Sequence, residues 1–177
     1  MQMDRNEVFM ASGPGSATRN WVKIGAKKDG MITAMEAKLC YEAGWAPGSS
    51  PLGPACMTVF TPYDVDHQYV EGFEVVVNKA RCAAYRAPGA PQSEYACEMV
   101  INELADELGM DPIDLRLKNV AKEGTQTMYG PKLKAVGLVE CLEAAKSSAQ
   151  YKAALKENQG RGVASGFWFN VGGESSV

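Results

Sequence analysis

The sequence predicts an α+β fold, with an antiparallel sheet and helices packed on one side of it. Three observations predict this. Two alternating stretches, 21–27 and 31–43, flank Lys28-Asp29-Gly30, and Asp-Gly suits the left-handed angles of a tight hairpin turn. A third alternating stretch, 69–78, sets Phe73, Val75 and Val77 on one face. Beyond it, apolar residues recur at helical spacing from Gln92 to Leu108 and again after Asp111-Pro112. Strands are expected mainly over 20–43, 68–85 and 160–171, and helices mainly over 91–121 and 137–157.

Composition bounds the function. The 177 residues are 46% hydrophobic, enough for a sizeable core. Residues 1–177 are expected to form a single partial domain, because both ends read as pieces of something longer. The net charge of −3 argues against nucleic acid as a partner. No apolar run reaches the ~20 residues that span a bilayer, so no membrane is expected. The N-terminus lacks the apolar core of a signal peptide, which points to the cytoplasm. Five cysteines stand apart with no Cys-x-x-Cys pair, as buried thiols in a reducing compartment would. His67 is the only histidine, and no zinc-type ligand spacing exists.

Taken in order, 21–27 places Val22, Ile24 and Ala26 on one side and Trp21, Lys23 and Gly25 on the other. In 31–43, Met31, Met35, Ala37, Leu39 and Tyr41 share the apolar face. The region 44–62, with three glycines and Pro47, Pro51, Pro54 and Pro62, is expected to be mostly loop, with a short helix near 55–60. Such loops are either functional or a surface linker. A helix over 92–108 presents Cys97, Ile101, Leu104 and Leu108 as one stripe, with Glu94, Glu98, Asn102 and Asp106 as a solvated face. Gly109 ends it. Asp111 caps a second helix through about Val120, with Ile113, Leu117 and Val120 inward. A helix over 138–149 turns Leu138, Ala145 and either Cys141 or Leu142 inward, and 161–171 reads as a last strand.

The stretch Tyr85-Arg86-Ala87-Pro88-Gly89-Ala90-Pro91-Gln92 joins the third strand to the long helix. Pro88 and Pro91 fix their own φ and push Ala87 and Ala90 toward extended conformations. Gly89 is free to adopt angles other residues avoid. A stiff loop that ends at a helix N-terminus presents backbone N–H groups to an anion. Gly13-Pro14-Gly15-Ser16 is only a weak phosphate-loop pattern, since it lacks a lysine. Cys97 belongs to an apolar stripe and not to a nucleophile, and His67 has no nucleophile beside it.

This stretch, with Glu94-Tyr95-Ala96-Cys97-Glu98, the run from Glu103 through Asn119, and Lys122-Glu123-Gly124-Thr125, resembles the molybdopterin-binding large subunit of the xanthine dehydrogenase and aldehyde oxidase family. The likeness is densest over 78–130. It implies that the chain is one lobe of a molybdenum-cofactor-binding domain. The parent would be a molybdenum hydroxylase acting on an aldehyde or heterocycle, with water as oxygen source. The molybdenum would be held by a pterin cofactor and not by side chains. Iron–sulfur clusters and FAD would lie on other domains or subunits. Those, the remaining half of the molybdopterin-binding subunit and a small-molecule substrate are the implied partners.

The resemblance also assigns residues. Ala84, Tyr85, Arg86 and Ala87 take the place of the loop beside the molybdenum, whose amides face the cofactor. Pro54, Pro88 and Gly89 take substrate-pocket positions. Pro88 stands where purine-oxidising members carry an aromatic residue, and Pro54 where they carry an arginine; both departures argue against a purine. No catalytic residue and no protein metal ligand is expected here, since the family's glutamate base belongs to a segment this sequence does not contain. The isolated chain is therefore expected to bind no cofactor and to be inactive. The alternative from another class is a non-catalytic interaction or scaffold domain that retains the fold.

Overall fold

The computed structural model describes residues 2–169. Along the chain come α1 (Arg5–Ala11), β1 (Thr18–Ala26), β2 (Ile32–Gly44), α2 (Leu52–Thr58), β3 (Gln68–Val76), α3 (Ala90–Leu108), α4 (Pro112–Asn119), α5 (Leu138–Ser147) and α6 (Ala149–Lys152). The class is α+β, as expected. No helix among the described residues is long and apolar enough to cross a membrane.

The hairpin forms as its pattern dictates. β1 pairs antiparallel with β2, Trp21 opposite Lys38, and the register shifts between Gly25 and Ala26. The shift brings Ile32 into the core and leaves Met31 exposed. Asn119, buried at the end of α4, locks the turn. Its Oδ1 accepts from the Ile32 N–H at 2.8 Å, and its Nδ2 donates to the Gly30 carbonyl at 2.9 Å.

The sheet is mixed, not wholly antiparallel, because β3 runs parallel to β2. A parallel neighbour needs a crossover of a dozen or more residues, and 45–67 supplies it with α2 inside. The segment expected to be mostly loop is thus the crossover. Met35, Ala37, Leu39 and Tyr41 of β2 are buried beneath α2 and α3, together with Phe60, Cys97 and Ile101. Complete burial of a side chain such as Met35, Leu39, Phe60 or Ile101 contributes about 1.5–3 kcal/mol.

Four boundaries differ from expectation. β3 ends at Val76, and 77–85 is extended but unladdered. There, Ala43 O accepts from the Cys82 N–H and Pro14 O from the Ala83 N–H. α1 forms where a loose tail was expected, closed by a capping box between Asp4 and Glu7. Leu142, not Cys141, is the buried residue of α5, and Ala145 is exposed. Finally, 161–169 is not a strand, and residues 170 and 171 of the expected strand lie outside the described residues.

The last difference has a cause in α3. Its expected solvated face is covered from Glu94 to Asn102, while Asp106 stays exposed. Glu98 is buried and Glu94 and Asn102 are half-buried, because the chain returns over them. Ser165 N–H donates to Glu98 Oε2 at 2.6 Å, Phe167 N–H to Glu94 Oε1 at 2.9 Å, and Asn102 Nδ2 to the Val163 carbonyl at 3.2 Å. Side chains replace a neighbouring strand. Beneath them Arg116, with no exposed surface, donates from Nε and Nη2 to Glu98 Oε2 at 3.0 and 2.7 Å. It also reaches the Pro112 and Val163 carbonyls and Asn102 Oδ1. Tyr63 donates its hydroxyl to the other oxygen of Glu98.

Breaking such a pair from one side leaves a buried charge alone. Arg116→Leu is expected to destabilise the chain by about 3–5 kcal/mol in urea unfolding. The double variant with Glu98→Leu is expected to lose less than the two singles added together.

Candidate functional site

The candidate site is the loop that leaves the sheet near Arg81 and enters α3 at Ala90. Its ends are fixed. At the entry, backbone bonds tie Cys82 to Ala43 and Ala83 to Pro14 at 3.0 and 2.9 Å. At the exit, the Gly89 carbonyl accepts from the Tyr41 hydroxyl at 2.8 Å and from the Ser93 hydroxyl at 3.2 Å. Tyr41 is buried under the loop, and burial pushes its phenol up to about 12, so it remains a neutral donor.

The backbone between these anchors is strained. Ala87 has a φ of 53°, a left-handed angle that costs a residue with a Cβ about 1–2 kcal/mol. This corrects the expectation of an extended Ala87. Ala90 is also not extended, because it opens α3 two residues earlier than the pattern indicated. Gly89 has a φ of 92°, and a Cβ there would lie 2.2 Å from the Pro51 carbonyl oxygen. Only glycine fits between α2 and the start of α3.

The consequence is a row of uncommitted donors. Among the described residues, the N–H groups of Ala84, Tyr85, Arg86, Ala87 and Gly89 donate to no protein acceptor. Tyr85 and Arg86 are exposed, and Arg86 has no carboxylate partner within ion-pair reach among the described residues. The loop borders a cavity of about 150 Å³. Tyr85, Arg86, Ala87, Pro88 and Gly89 line it, as do Pro91 and Gln92 of α3, Pro51, and Gly15 with Ser16.

Of the residues singled out in the sequence, Tyr85 to Gly89 come together here. Ala84 lies outside the lining but contributes a free N–H. Pro54 sits in the first turn of α2, outside the lining, where Pro51 of the same region reaches the cavity. Gly15 and Ser16 were visible only as a weak phosphate pattern, and the structure brings them to the loop. Ser16 is committed, its hydroxyl donating to the Glu42 carbonyl at 2.6 Å. Tyr41 gave no signal beyond strand periodicity, whereas Gln92 closes the loop stretch that the sequence singled out.

No group of three His, Cys, Asp or Glu side chains among the described residues is placed to hold a metal. Cys97 is fully buried, and burial pushes its thiol well above the ordinary range, as suits core and not a nucleophile. Beside the site, on the other side of Pro91, Glu94 lines a groove of about 430 Å³ between α3 and residues 162–165. Burial pushes its carboxyl up to about 7; the Phe167 N–H opposes that rise and the nearby Glu98 adds to it.

Two outcomes follow. Gly89→Ala is expected to cost at least about 1–3 kcal/mol in urea unfolding, from backbone strain alone. Glu94 binds its proton more tightly folded than unfolded. Its contribution to stability is therefore full below its ordinary value of 4.5 and is lost as pH rises through about 7. The urea midpoint is expected to fall over that window, and Glu94→Gln to remove that part of the slope.

Known proteins share the sequence and the fold of this chain. The sequence profile of the molybdopterin cofactor-binding domain matches residues 1–120. The nicotinate dehydrogenase large molybdopterin subunit of Eubacterium barkeri is 36% identical over 133 residues, covering 72% of this chain and 31% of that protein. The aldehyde oxidoreductase of Megalodesulfovibrio gigas is 31% identical over 140 residues, covering 78% of this chain and 15% of that one. The solved aldehyde oxidoreductase from Desulfovibrio gigas superposes with a TM-score of 0.73 at 29% identity, over 78% of this chain and 15% of that one. The chain thus spans under a third of the length of these relatives. With the profile covering most of its length and the fold shared, this chain belongs to the molybdopterin cofactor-binding domain family.

Proposed function

We propose that this chain is part of the catalytic subunit of a molybdenum hydroxylase, and that the Arg86 loop is its contact with a molybdenum–pterin group. One observation carries the proposal: a strained loop, anchored at both ends, holds several backbone N–H groups with no acceptor among the described residues. Such groups are fixed dipoles that need no reorganisation when negative charge arrives. The donor set fits a group whose metal is held by its own organic ligand, since the described residues supply backbone donors and no ligand cluster.

The residues that would hold the group are Ala84, Tyr85, Arg86 and Ala87 through their amides, with the Arg86 guanidinium able to pair with an anionic oxygen. When bound, the molybdenum–pterin group supplies the two-electron oxidation of a carbon centre that takes oxygen from water. Pro88 and Gly89 would face the substrate. Pro88 presents a small, rigid, apolar surface, which suits an aldehyde or a compact heterocycle better than a purine needing polar contacts. Pro54 acts at most through α2. Iron–sulfur and flavin groups would receive the electrons on other domains or subunits. The scaffold alternative expects the loop to be disordered or covered, and the exposure of Tyr85 and Arg86 on a loop anchored at both ends favours the enzyme.

The test uses the whole subunit with its electron-transfer partners, offered a small aldehyde or nicotinate in ¹⁸O-labelled water. Label in the product and molybdenum in the protein are expected; product oxygen drawn from O₂, or a metal-free protein, sinks the proposal. Arg86→Ala is expected to lower turnover while shifting stability by no more than about 0.5 kcal/mol, as for other exposed side chains. The isolated 177-residue chain is expected to carry no molybdenum above background in metal analysis.

A further inference from the structure

Gln92 holds a polar atom with nothing to do. Its Oε1 is buried and accepts no hydrogen bond. The residue is otherwise tied down, its backbone carbonyl accepting from Asn20 Nδ2 at 3.0 Å. Its side chain forms part of the wall of the cavity under the Arg86 loop. Native structures satisfy nearly all buried polar groups, and an orphan beside a cavity marks a place where something else completes it. The cavity, at about 150 Å³, has room for more than one small group.

The chemistry around Gln92 is one-sided. The loop contributes N–H donors from Tyr85, Arg86, Ala87 and Gly89, and Arg86 adds a cation. Gln92 Oε1 is an unpaired, buried acceptor on a residue that lines the same cavity. A bare anion would satisfy the donors and leave Gln92 unpaired. A ligand that carries an N–H or O–H close to its acceptor atoms satisfies both.

We propose that Gln92 is a ligand-positioning residue whose Oε1 accepts a hydrogen bond from an N–H or O–H of the group held by the Arg86 loop. The site thereby selects a ligand with a donor beside its acceptor atoms over a simple oxyanion. This rests on the molybdenum–pterin reading above and adds a residue and a selection rule to it.

The test compares the whole subunit with its Gln92→Leu and Gln92→Glu variants, each purified and assayed for molybdenum by mass spectrometry and for pterin by fluorescence after oxidative release. Melting temperature is read on the same samples after the cofactor is stripped. Gln92→Leu removes the acceptor and is expected to lower both contents about fivefold or more. Gln92→Glu keeps an acceptor and is expected to stay within about twofold. The stripped variants are expected to melt within about 2 °C of the parent. Full loading of Gln92→Leu overturns the assignment. Equal loss in both variants, or loss that follows a lowered melting temperature, also overturns it, because it marks a structural role. A parent subunit that lacks molybdenum and pterin sinks the functional reading itself, and this inference with it. A loaded parent beside an equally loaded Gln92→Leu sinks only the role of Gln92.

Discussion

The site depends on three elements meeting at one residue without a side chain. Tyr41 of β2 rises to the Gly89 carbonyl, Pro51 and Ala55 at the start of α2 press against the Gly89 α-carbon, and α3 begins on its far side. Main chain approaches main chain between the crossover helix and the long helix, so their spacing is set by backbone contact, and the Tyr41 hydroxyl ties the sheet to them. A loop suspended from such a junction has little freedom to relax. That is how Ala87 is kept at an angle it would leave if it could.

The long helix α3 serves both neighbours of this junction. Its Cys97 and Ile101 stripe packs on the sheet. Its other face, through Glu94, Glu98 and Asn102, takes hold of residues 163–167. Carboxylates are used there as strand substitutes, accepting main-chain N–H groups that would otherwise need a ladder. Glu98 can be buried because Arg116 and Tyr63 neutralise and complete it. Glu94 accepts from the Phe167 N–H, and its burial raises its proton affinity against that bond.

Much of this was legible in the residues. Asp29-Gly30 and the alternation around it gave the hairpin; Cys97, Ile101 and Leu108 gave α3; Asp111-Pro112 gave α4. The loop was legible in two ways, by its Pro-Gly chemistry and by its likeness to a known family. What was not legible was long-range. The direction of β3 depends on how α2 carries the chain across the sheet, and nothing in 68–76 encodes it. The burial of Glu98 depends on Arg116 and on a segment more than sixty residues away. Its helical spacing with Glu94 and Asn102 is the same whether that face meets water or protein. Gly15 and Ser16 reach the site only through tertiary packing. By contrast, α1 was announced by Asp4 and Glu7, a capping pair that the apparent looseness of the terminus obscured.

The phase of β2 has a bearing on the loop that distance along the chain conceals. Side chains alternate across a strand, so sliding β2 by one position would swing Tyr41 to the solvent face and present Cys40 or Glu42 to Gly89. The irregularity between Gly25 and Ala26 pins that phase from the opposite end of the hairpin. The Asp29-Gly30 bend is held as well, because Asn119 bonds both the Gly30 carbonyl and the Ile32 N–H. A single residue added between Ile32 and Tyr41 would unfasten the far end of the molecule, as a slipped tooth mistimes a gear.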